Sequence, residues 1–101
     1  MLDLSTISQE TLIARGQYAT VRRKHEEAKK ELAALCSVLQ TRAAQILKLM
    51  QPDDNGAPAM TLVADLVGFC QKTVFDIARV SDEINSLARQ RAELKVKAWR
   101  E

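Results

Sequence analysis

The stretch Gln51-Pro52-Asp53-Asp54-Asn55-Gly56-Ala57-Pro58 decides the fold, because it is the only concentration of helix-breaking residues in the chain. Asn-Gly is a strong turn dipeptide, and Pro52 disfavours helical geometry at Gln51. Pro58 suits the first turn of a following helix, where its missing N–H has no intrahelical partner to lose. The residues on either side belong to a different regime.

Stepping by alternating threes and fours from Leu4 gives Leu4, Ile7, Thr11, Ala14, Tyr18, Val21, His25, Ala28, Leu32, Leu35, Leu39, Arg42, Ile46 and Leu49. Only Thr11, His25 and Arg42 depart from apolar character, counting Tyr18 as apolar. A repeat sustained this long is the seam of a coiled-coil-type helix. Thr6 with Gln9 offers a capping box at its start, and Ser8 offers a cap two residues later. Beyond the turn the same stepping gives Val63, Leu66, Cys70, Thr73, Ile77, Val80, Ile84, Leu87, Arg91, Leu94 and Ala98.

The predicted fold class is all-α. One domain spans 1–101, with a helix over 6–51, a turn over 52–57 and a helix over 58–99. The connection is short enough to make the helices antiparallel neighbours, a helical hairpin in which facing residue numbers sum to about 108. That register sets Leu39 near Phe69 and Cys70, Leu32 near Ile77, and His25 near Ile84. Gly16 and Gly68 each weaken a helix by roughly 1 kcal/mol relative to Ala. Gly16 is also where a short first helix would end, but toleration within the helix is the preferred reading.

Near the turn, apolar residues exceed what one seam needs. Val38, Ala43 and Leu47 widen the first helix; Met60, Leu62, Val67, Phe69, Val74 and Phe75 widen the second. A hairpin covers one stripe per helix, and leaving half a dozen such side chains in water forfeits on the order of 10 kcal/mol. The expectation is a homodimer, two hairpins making a four-helix bundle, with Leu62, Val67, Phe69, Val74 and Phe75 at the interface.

The remaining features narrow the chemistry. The 101 residues are 28% charged and 47% hydrophobic, an ordinary composition for a folded soluble protein. The beginning, Met1 to Ser5, lacks a basic region followed by an apolar stretch, and the most apolar window, 57–69, is interrupted by Asp65. No secretory signal, no membrane span and a cytoplasmic location are expected. Cys36 and Cys70 sit in apolar-periodic segments, as free thiols in a reducing compartment do, although two thiols also permit one disulfide. His25 is the sole histidine and has no nucleophile or metal-ligand motif beside it; the three glycines are isolated, so no phosphate-binding loop exists. Accordingly the sequence predicts no enzyme activity, catalytic residue, metal or cofactor.

Arg42 and Arg91 occupy seam positions, where charge is costly unless paired or able to reach water. The register offers Asp65 to Arg42 and only Glu10 to Arg91. Charge is unevenly spread: residues 15–30 and 89–101 together carry +7, against −5 elsewhere.

Two surfaces follow from these observations, the apolar flank and a basic open end bearing Arg22, Arg23, Arg89, Arg91 and Trp99. The expected function is a non-enzymatic protein–protein interaction module: an adaptor, chaperone-like factor or inhibitor of a larger complex, with a protein target at the open end. By analogy alone, accessory regulators of bacteria and their viruses are often built this way. Nucleic-acid binding by the basic end and a structural subunit of an assembly are the alternatives. Glu26, Glu27 and Glu31 interleave with the cations, as on an ordinary solvated face, and weigh against nucleic acid.

Overall fold

The structure is a computed structural model that describes residues 8–51, 56 and 60–99. It contains two long helices, α1 (Gln9–Met50, 42 residues) and α2 (Met60–Ala98, 39 residues), and no strand among the described residues. Both fall within the expected spans; positions 6, 7, 52–55 and 57–59 lie outside the described residues.

Ser8 caps α1. Its Oγ accepts the Thr11 backbone N–H at 3.1 Å and lies 2.7 Å from the Thr11 hydroxyl, while its carbonyl accepts from Leu12 N–H at 3.1 Å. Such a cap satisfies one of the donors that a helix start leaves unpaired. Glu10 in the first turn and Lys48 in the last complement the helix dipole. At the far end Gln51 N–H bonds the Lys48 carbonyl at 3.4 Å, a tightened final turn. Gly56 has φ 106°, a left-handed conformation that a side chain resists, as an Asn-Gly turn requires. Both Gly16 and Gly68 are passed without a break.

The described chain divides into two compact units. Unit 1 joins residues 1–29 with 82–101, and unit 2 comprises 30–81. Each helix contributes a segment to both units. Within unit 1, Arg15 meets Ala98 and Tyr18 meets Arg91; within unit 2, Arg42 meets Phe69 and Glu31 meets Arg79. The two segments of each unit are therefore antiparallel, in a register near that expected from the turn.

Every described seam residue is buried or half-buried, from Thr11 to Leu49 in α1 and from Val63 to Ala98 in α2. Ala14, Ala28, Leu87, Ala98 and His25 are buried in unit 1, and Val63, Thr73 and Val80 in unit 2. Val80, at 0% exposure, is the one large side chain fully enclosed among the described residues. Two helices form a line of contact, so most seam side chains keep one edge in water. The buried Thr73 hydroxyl donates to the Phe69 carbonyl one turn earlier at 3.0 Å, which satisfies it without a partner across the seam.

Candidate interaction surfaces

In unit 1 the seam carries polar groups, and they satisfy one another. Arg91 donates through Nη1 to His25 Nδ1 at 3.2 Å and to Glu26 Oε1 at 3.1 Å, and through Nε to the Tyr18 hydroxyl at 3.4 Å. Its guanidinium also lies 5.8 Å from the centre of the Tyr18 ring. A guanidinium has no acceptor, so His25 Nδ1 must accept and the ring proton sits on Nε2. His25 is 8% exposed and packs here as a seam residue with a hydrogen-bond partner. The register offers Arg91 no clear partner apart from Glu10; the guanidinium instead reaches Tyr18, His25 and Glu26.

A second arginine closes the other side of this cluster. Arg15 Nε donates to the Ala98 carbonyl at 3.0 Å, one of the acceptors that the end of α2 leaves free, and its guanidinium lies 5.7 Å from the Trp99 ring centre. Trp99 meets Tyr18 edge-to-face with centroids 4.9 Å apart.

Charges shift accordingly. The Arg91 hydrogen bond, then Lys29 at 3.6 Å, hold the Glu26 carboxyl below its ordinary range. Hydrogen bonding from Arg91 likewise lowers the Tyr18 phenol, and both partners raise Arg91. Of the residues expected at a partner-binding end, Arg22, Arg23 and Arg89 are exposed and Trp99 is 50% exposed, whereas Arg91 is half-buried and committed to the cluster.

Unit 2 is built differently. All five residues expected at a self-association surface, Leu62, Val67, Phe69, Val74 and Phe75, are exposed, Phe75 by 76%. Leu47, Met50, Met60 and Val38 are exposed with them. The surface is divided between two flanks of the seam. Val67, Val74 and Phe75 border a hollow of about 420 Å³ with Ile46, Cys70 and Gln71. Leu62 belongs to a second hollow of about 510 Å³, bordered by Arg42, Gln45, Lys48, Leu49, Asp65 and Leu66. Phe69 lies on that second flank, 5.1 Å beneath the Arg42 guanidinium, which also donates to Gln45 Oε1 at 3.1 Å. The register offers Asp65 to Arg42; among the described residues Arg42 turns to Gln45 and the Phe69 ring, and Asp65 borders the same hollow.

The two flanks differ in charge. With the seam residues as a and d of the heptad, the e and b positions of unit 2 are Ala33, Cys36, Gln40, Ala43, Leu47 and Met50 in α1, and Met60, Ala64, Val67, Gln71, Val74, Ala78 and Ser81 in α2. None is charged. The opposite g and c positions include Glu31, Lys48, Asp65, Lys72, Asp76 and Arg79. This segregation is written in the sequence, but it emerges only when residues are sorted by flank instead of by hydropathy alone.

Among the described residues no group of three His, Cys, Asp or Glu could hold a metal ion, both thiols are free, and no helix is long and apolar enough to cross a membrane. No buried side-chain nitrogen or oxygen among them lacks a hydrogen-bond partner. No protein-family profile matches the chain, and no curated protein or solved structure matches it.

Proposed function

We propose that the protein is a non-catalytic interaction module that works by association through the apolar surface of unit 2. The observation that carries this reading is that surface itself: Leu47, Met50, Met60, Leu62, Val67, Phe69, Val74 and Phe75 stand exposed within 52 residues of chain. Apolar exposure on this scale, on both flanks of the seam, marks surface that is covered in the working state. Association there, in a four-helix bundle or with another protein, leaves unit 1 to present Arg22, Arg23, Arg89 and Trp99 to a target. An adaptor, chaperone-like factor or inhibitor fits this division, in a reducing compartment such as the cytoplasm where free thiols persist.

The test is the size of the complex that contains the full chain in a lysate of its own cells. The parent chain is expected in a species larger than the monomer, and Phe75→Asp with Val67→Asp is expected to run as the monomer. A parent that runs as a monomer overturns the reading.

Binding of nucleic acid by unit 1 rests on the exposed Arg22, Arg23, Lys24 and Arg89. Arg15 and Arg91 are engaged inside the unit, and Glu26 and Lys29 neutralise each other in part, which leaves that reading second. Retention on nucleic acid that falls steeply with salt would favour it.

A further inference from the structure

We propose that the charge-free flank of unit 2 is the contact between two copies of this chain, joined about a two-fold axis with Phe75 of each copy set against the hollow of the other. This rests on the reading of unit 2 as an association surface; it adds which flank and which partner.

Electrostatics choose the partner. A two-fold contact sets a surface against itself, so a charge in it is buried unless the same surface brings an opposite charge to the facing position. The flank formed by the e and b positions from Ala33 to Met50 and from Met60 to Ser81 carries no charge, and its polar residues are Gln40, Gln71 and Ser81, which can both donate and accept. It meets a copy of itself without repulsion. For the same reason it has nothing to steer or select a charged partner, and no lysine or arginine for anionic lipid. The opposite flank carries Glu31, Lys48, Asp65, Lys72, Asp76 and Arg79, charges that a contact there would take out of water.

Shape agrees. Ala33, Cys36, Ala43, Ala64, Ala78 and Ser81 keep the flank low, so that helices approach closely. Phe75 projects at 76% exposure from the rim of a shallow hollow of about 420 Å³ that it lines with Ile46, Val67, Cys70, Gln71 and Val74.

Sedimentation of the purified full chain at tens of micromolar tests the proposal, with far-UV circular dichroism to check helicity. The parent is expected to be a closed dimer whose dissociation constant changes less than about threefold over tenfold in salt. Val74→Lys is expected to weaken it by about 100-fold or more, because a lysine is buried unpaired. Gln71→Lys, on a residue exposed in the single chain and favourable to helix, is expected to do the same without disturbing the hairpin. Leu62→Lys and Phe69→Lys, on the charged flank, are expected to change it less than about threefold.

A parent dimer that survives Gln71→Lys and dissociates with Phe69→Lys overturns the choice of flank. A mass that grows without limit overturns the two-fold contact. A purified monomer whose chain still runs in a larger complex in lysate overturns the second copy and leaves the association reading standing; a monomer in both overturns both.

Discussion

Units 1 and 2 share the same two helices and the same heptad, yet they are held by different forces. The seam of unit 1 carries Tyr18, His25 and Arg91, joined by directional hydrogen bonds at 3.1–3.4 Å and bordered by Glu26, Arg15 and Trp99. The seam of unit 2 is mostly Leu, Ile and Val, and its flanks leave large apolar side chains in water. Hydrogen bonds act only at one geometry, so the unit 1 cluster favours one helix register; apolar contact is non-directional and tolerates sliding. The comparison teaches that one helical pattern can hold a segment whose polar groups satisfy one another and a segment that leaves large apolar side chains in water.

The sharpest way to break the comparison is to place a charge at Val80, the one large side chain of unit 2 fully enclosed among the described residues. Val80→Asp buries a carboxylate without a partner and is expected to cost about 3–5 kcal/mol, measured by urea unfolding monitored by circular dichroism. A loss below about 1 kcal/mol would mean that Val80 is far less enclosed than its 0% exposure indicates.

Arg91→Met is the matching change in unit 1, since it keeps an apolar stem and removes the donors to Tyr18, His25 and Glu26. Amide exchange is expected to quicken roughly tenfold over 9–29 and 82–98, with little change over 30–50 and 60–81. Equal quickening everywhere would show that the two units open together.

The glycines probe the backbone apart from either unit's side chains. A Cβ at Gly16 or at Gly68 meets nothing within 4 Å. Gly16→Ala and Gly68→Ala are each expected to stabilise by about 0.5–1 kcal/mol, from helix propensity alone. Destabilisation by either would reveal a neighbour packed against that position.

The smallest effect expected is that of acid on unit 1. The Glu26 carboxyl is held below its ordinary range by Arg91 and Lys29, so its contribution is present above the unfolded carboxyl's titration and is lost as pH falls through the lowered folded value. Emission from Trp99, the only tryptophan, should therefore report an acid transition that Glu26→Gln flattens, while circular dichroism at the same pH changes less. An unchanged transition in Glu26→Gln would remove Glu26 as a support of the unit.

Charge reversal at Arg22, Arg23 and Arg89 stands apart from this order, because all three are exposed and free of the Arg91 cluster. Stability is expected to stay within about 0.5 kcal/mol of the parent, so any loss of target binding in a pull-down reads as surface recognition.

The sequence by itself determined the two helices and the side of each helix that packs. Those follow from local chemistry: a three-four repeat puts its residues on one face whatever the partner. That is why every described seam residue from Thr11 to Ala98 is buried or half-buried. Only the tertiary structure decided where the seam arginines go. Arg91 and Arg42 have long side chains with several reachable acceptors and rings, and the winner depends on distances between helices that no spacing along one helix contains. The same holds for the apolar surplus: hydropathy read Leu62, Val67, Phe69, Val74 and Phe75 as one surface, but antiparallel pairing set Leu62 and Phe69 on the charged flank and Val67, Val74 and Phe75 around the neutral hollow, because a flank exists only once two helices lie side by side.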